Sequence, residues 1–120
     1  MTIHLENIAT MPVINGTNAS ETILGTDQND VISPGDGYDT VYGLAGDDGL
    51  NGYKDESGIP YYWSAAGTLI AYGGPGNDVI GGKDGNDVIY GEDDDDAVWG
   101  RQGDDFISGG AGRDNLWGGG

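Results

Sequence analysis

Eight aspartates recur at one position of a nine-residue unit: Asp30, Asp39, Asp48, Asp78, Asp87, Asp96, Asp105 and Asp114. Glu21 holds the same place in a ninth unit, GTNASETIL at 16–24. Two residues after each acid comes an aliphatic: Ile23, Ile32, Val41, Leu50, Ile80, Ile89, Val98, Ile107 and Leu116. Chance does not keep such a register nine times. The chain has no Cys and a single His, His4, so thiolate and imidazole chemistry have almost no material. Neither H-E-x-x-H nor G-x-S-x-G occurs, and no EF-hand loop is present. The chemistry left is that of carboxylate oxygens, which suits cation coordination rather than catalysis.

Composition shows why these acids need help. The chain has 120 residues, 25 of them Gly, and a formal net charge of −17. Leu, Ile, Val and Phe together number 23, just under the ~20% at which a highly charged chain is expected to stay disordered. Either the chain is disordered or something cationic completes it. Its charge argues against nucleic acid and anionic membranes, since it repels phosphates. No apolar run reaches the ~18 residues of a membrane span, and residues 1–20 show no cleavable signal peptide. Glycine does not recur every third residue, so collagen is excluded.

From Gly73 the chain reads GGPGNDVIG, GKDGNDVIY, GEDDDDAVW, GRQGDDFIS and GGAGRDNLW. A further unit starts at Gly118 and breaks off. Residues 25–51 divide into GTDQNDVIS, PGDGYDTVY and GLAGDDGLN. The stretch 52–72 reads as one unit whose turn holds about twelve extra residues, with Ile70-Ala71-Tyr72 in register. Leu69 then takes the acid position. Residues 1–15, with Ile3, Leu5, Ile8, Val13 and Ile14, are expected to cap the first coil. The roll is expected over 16–120, ending in mid-repeat, as a fragment or partial gene product would.

These units resemble the RTX family, whose nonapeptide is G-G-x-G-x-D-x-(aliphatic)-x. GGPGNDVIG and GGAGRDNLW match at every defined position. The resemblance implies an all-β fold, a parallel β-roll (a β-solenoid) with two repeats per coil. In it six residues make a turn and three a strand, and alternate units stack. Three strand residues carry one inward side chain, and glycines allow positive φ in the turns. Asp94, in the place of a turn glycine, is of a type that tolerates that conformation. Asp93, Asp94 and Asp95 otherwise read as variable turn positions.

Stacked coils lie ~4.8 Å apart, so acids two units apart must repel. An oxygen-only donor set fits Ca²⁺ better than Mg²⁺, which keeps its waters, or Zn²⁺, which prefers Cys and His. The resemblance places each ion between units i and i+2. One edge then carries Asp30, Asp48, Asp78, Asp96 and Asp114. The other carries Glu21, Asp39, the long loop, Asp87 and Asp105, with Asp55 and Glu56 as candidate substitutes inside the loop. About five to seven Ca²⁺ are expected.

Outward strand positions align Tyr42, Tyr72 and Tyr90, with Ile70, Val88 and Phe106 beside them, and Trp99 with Trp117. Two uses stay open for these residues: ladder packing, or docking of another domain, a protein or a glycan. The loop adds Tyr53, Tyr61, Tyr62 and Trp63. The expected function is a calcium-binding module of a larger secreted, extracellular protein, folding on Ca²⁺ outside the cell and accompanying type I secretion. The chain itself is expected not to be an enzyme. The alternatives are a carbohydrate-binding or adhesive module using the 53–63 aromatics, or the non-catalytic C-terminal part of an RTX protease, lipase or epimerase.

Overall fold

The computed structural model describes residues 13–54, 60–62 and 66–119. His4, Asp55, Glu56 and Trp63, and residues 1–12 of the segment 1–15 expected to cap the first coil, lie outside the described residues. Among those described there are only strands, turns and bends.

Each regular unit places its strand, in most units three residues long, after its turn, and successive strands alternate between two parallel sheets. The first sheet runs β1 (Val13–Asn15), β3 (Val31–Ser33), β5 (Gly49–Leu50), β9 (Val79–Gly81), β11 (Ala97–Trp99) and β13 (Asn115–Trp117). The second runs β2 (Thr22–Leu24), β4 (Gly37–Tyr42), β8 (Gly67–Tyr72), β10 (Val88–Tyr90) and β12 (Phe106–Ser108). This is the parallel β-roll expected from the sequence, a solenoid of about five turns with two units per coil. Val13–Asn15, just ahead of the first unit, form a strand in register with Val31–Ser33.

The eighth-position aliphatics make two columns. Ile14, Ile32, Leu50, Ile80, Val98 and Leu116 are successive partners in the first sheet. Ile23, Val41, Ala71, Ile89 and Ile107 are partners in the second. Most of these side chains, with Leu69, form the buried core, and Ile14 and Ile107 pack against it. One inward residue per strand follows from the two-residue side-chain period, so the core is thin and each coil relies on its neighbours.

The long unit departs from the pattern in its turn only. Asn51, at φ 52°, ends β5, and an antiparallel hairpin follows, β6 (Gly52–Lys54) against β7 (Pro60–Tyr62). The hairpin backbone lies beside β3, β5 and β9. The chain then returns as β8, paired with β4 along six residues from Gly37↔Gly67 to Tyr42↔Tyr72. Ile70, Ala71 and Tyr72 thereby keep the register of the regular units.

Outward rings stack along the roll. Tyr42 and Tyr72 have centroids 4.9 Å apart, Tyr72 and Tyr90 5.1 Å, and Trp99 and Trp117 4.7 Å, all with nearly parallel ring planes. Both faces of Tyr72 are therefore covered by neighbouring tyrosines, which leaves no face of that ring for a planar ligand.

The two columns set up a direct comparison. Ile80→Ala empties a site that is fully buried between Leu50 and Val98, and should cost about 2–5 kcal/mol. Leu24→Ser alters a side chain that is 62% exposed, and should change stability by less than about 0.5 kcal/mol. Urea unfolding in saturating calcium reads both.

Candidate metal centres

The turns carry the acids, and stacking brings the acids together. Along one edge, the N–H of Asp30 donates to Asp48 Oδ1 at 2.8 Å. Asp48 donates in the same way to Asp78 at 2.7 Å, Asp78 to Asp96 at 2.8 Å, and Asp96 to Asp114 at 2.9 Å. On the other edge Glu21 donates to Asp39, Leu69 to Asp87 and Asp87 to Asp105. Six of these acids, Asp30, Asp39, Asp48, Asp78, Asp87 and Asp96, are at most 2% exposed. Glu21, Asp105 and Asp114 are half-buried. Leu69 interrupts the second row and is itself buried in the core.

Oδ1 is thus engaged by the ladder, and the acids differ at the second oxygen. In the turns beginning at Gly16, Gly25 and Gly82, the second residue points its N–H at the acid. Thr17 N–H donates to Glu21 at 2.7 Å, Thr26 N–H to Asp30 Oδ2 at 2.7 Å, and Lys83 N–H to Asp87 Oδ2 at 2.8 Å. The two threonines add their hydroxyls. In four other turns the second residue is left-handed, Leu44 at φ 67°, Gly74 at 86°, Glu92 at 76° and Arg101 at 71°, as are Gly35 and Gly110 in the turns of Asp39 and Asp114. The acids of those four turns are Asp48, Asp78, Asp96 and Asp105. In each of them Oδ2 is buried and has no hydrogen-bond partner. The left-handed region costs a non-glycine residue roughly 1–2 kcal/mol, so Leu44, Glu92 and Arg101 hold strain in the same turns as the unsatisfied oxygens.

A second oxygen lies close by. A Cβ built on Gly73 would fall 2.5 Å from Asp78 Oδ2 and 2.7 Å from the carbonyl oxygen of Gly91. The same pairing of a carboxylate with the carbonyl two units on occurs at Gly43, Gly91 and Gly100, and also at Gly25 and Gly82, where a backbone N–H already meets the carboxylate. Only a residue without a side chain leaves these oxygens open to one another. No three acidic side chains converge among the described residues, so any ion here draws on carbonyls as well as carboxylates. Orphaned oxygens beside carbonyls are the donor set of a hard cation such as Ca²⁺, which accepts six to eight oxygens in flexible geometry.

Burial leaves its mark on ionisation. Desolvation pushes the carboxyls of Asp48 up to about 8, Asp78 to about 10, and Asp87 and Asp96 to about 7. The N–H each receives from its row neighbour works against this, and repulsion from nearby acids adds to it.

The family described as the RTX calcium-binding nonapeptide repeat matches in four copies, over residues 15–50, 72–107 and 98–120. The chain belongs to that family. Comparison with curated proteins and with solved structures finds no match. As an RTX chain this is a β-roll of calcium-binding repeats, and the unmatched stretch 51–71 contains the hairpin.

The turns also use residues that read as variable in the sequence. Asn29 Oδ1 accepts the N–H of Asp47, Asp47 that of Asn77, Asn77 that of Asp95, and Asp95 that of Arg113. Asp94, left-handed at φ 74°, accepts the N–H of Gly76. The recurrence of Asn and Asp at the fifth position was the available signal. The signal separating Asp30 and Glu21 from the other acids was Thr at the second position.

The raised carboxyls fix a pH dependence. Ordinary Asp titrates near 3.8, so between there and about 7–10 the metal-free fold holds protons that the unfolded chain has released. Its stability therefore falls as pH rises through that window. With chelator present, circular dichroism should show more β-structure at pH 5 than at pH 9. The calcium midpoint should move the other way, to lower concentration at higher pH, because the ion displaces those protons.

Proposed function

We propose that this RTX roll is a calcium-dependent structural module that folds when Ca²⁺ enters its turns. The reading is carried by the four buried Oδ2 atoms without partners, on Asp48, Asp78, Asp96 and Asp105. Burying an unpaired carboxylate is strongly unfavourable, and a chain of −17 adds repulsion throughout. Bound calcium supplies positive charge and accepts oxygen ligands. The orphaned carboxylates would hold it together with glycine carbonyls, and the strained second-position residues keep their N–H groups from satisfying those oxygens. The four orphans mark the turns where ions are expected first, within the five to seven expected from the rows. Asp30, Asp87 and Glu21 already receive backbone N–H groups from their own turns and contribute chiefly by aligning the ladder.

Binding free energy is then folding free energy. Extracellular calcium modules often work at ~10⁻⁴–10⁻³ M, so such a chain would stay unfolded inside a cell and fold after export. We infer that it serves as a non-catalytic structural and secretion module of a secreted protein.

After chelation, far-UV circular dichroism should show a cooperative coil-to-β transition on adding Ca²⁺, and none with Mg²⁺ at equal ionic strength. Asp96→Ala should raise the calcium midpoint, because Asp96 stands between Asp78 and Asp114 in the ladder. A β spectrum that chelation leaves unchanged would overturn the reading.

A further inference from the structure

Lys83 is fully buried, at 0% exposure. A lysine is almost never so placed unless its charge is paired. Its Nζ donates to Asp39 Oδ2 and, at 3.1 Å, to the carbonyl oxygen of Gly37. Its backbone N–H donates to Asp87 Oδ2. One residue therefore satisfies the acids on both sides of the interrupted position Leu69.

The turn that receives the ammonium belongs to the left-handed class. Gly35, its second residue, has φ 81°, so its geometry resembles that of the turns holding Asp48, Asp78, Asp96 and Asp105. In those four Oδ2 lacks a partner. In Asp39 it is met by a positive charge that also holds a turn carbonyl, the same two kinds of oxygen found together beside Gly73. The cause lies in the insertion. The hairpin replaces the middle turn of this edge, and the middle unit offers buried Leu69 where a carboxylate would stand. An ion shared between adjacent turns would lose a ligand there. A four-carbon stem from the next unit spans the gap.

We propose that the Lys83 ammonium is the resident cation of the Asp39 turn, taking the place of a calcium ion, and that Asp39 is not a calcium ligand. This rests on the calcium reading above. It makes the two edges unequal: one depends on metal along its length, while the other is neutralised from within across the insertion.

The test counts ions and measures coupling on the full chain. Isothermal titration with CaCl₂ gives the stoichiometry of wild type, Asp96→Asn and the double variant Asp39→Asn/Lys83→Met, which removes both charges together. The double variant should bind as many ions as wild type, whereas Asp96→Asn should bind fewer. Lys83→Met alone should raise the calcium midpoint at least ~10-fold by stranding a buried carboxylate, and adding Asp39→Asn should recover most of that loss. A double variant that binds one ion fewer than wild type, or that recovers nothing, overturns the proposal and leaves the calcium reading standing. Wild type binding no calcium overturns both.

Discussion

Every element of this roll is arranged around buried carboxylates that must not be left facing one another. The acids lie in two rows at the edges, one per unit, and stacking carries them out of water. After the first acid of each row, Oδ1 accepts the N–H of the residue before it in the row, an acid everywhere except at Leu69. That bond offsets part of the desolvation but does nothing for the second oxygen. What meets the second oxygen then decides whether a given turn is complete. A backbone N–H does so in three turns, an ammonium in one, and nothing from the chain in four, while the ninth acid, Asp114, is only half-buried.

The backbone makes that choice through a single dihedral. When the second residue is left-handed, its N–H is not available to the acid, and Oδ2 stays open beside a carbonyl. Leu44, Glu92 and Arg101 accept this conformation although their side chains disfavour it. Strain of that kind persists where the surrounding structure imposes it, and it concentrates at functional sites. Here it coincides with the oxygens that have no partner. The fifth-position Asn and Asp side chains bond between turns in the opposite chain direction to the acids, so neighbouring turns are tied twice.

The core is thin. One aliphatic per strand, repeated along two columns, gives each coil little apolar area beyond what its neighbours cover. The tyrosine and tryptophan stacks extend that ladder outside the sheets. The insertion is accommodated because the register resumes at Ile70-Ala71-Tyr72. The disturbance is confined to one turn and is bridged by Lys83.

Sequence alone determined the repeat, the position of each acid and aliphatic, and from them the parallel roll. These features are periodic, and a nine-residue period with one inward side chain admits few architectures. It also placed the missing acid at Leu69 and the aromatic columns, because both follow from counting. It did not distinguish the acids from one another. Glu21, Asp30 and Asp87 look like Asp48 and Asp78 in the register, although the threonines at the second position of the first two units were a readable hint. Nor did it mark Lys83, which occupies an ordinary variable position of its own unit. Its partner, Asp39, is 44 residues away. Only the stacking of coils decides which oxygens are left open, because that depends on contacts two units apart and on backbone dihedrals that side-chain identity constrains weakly.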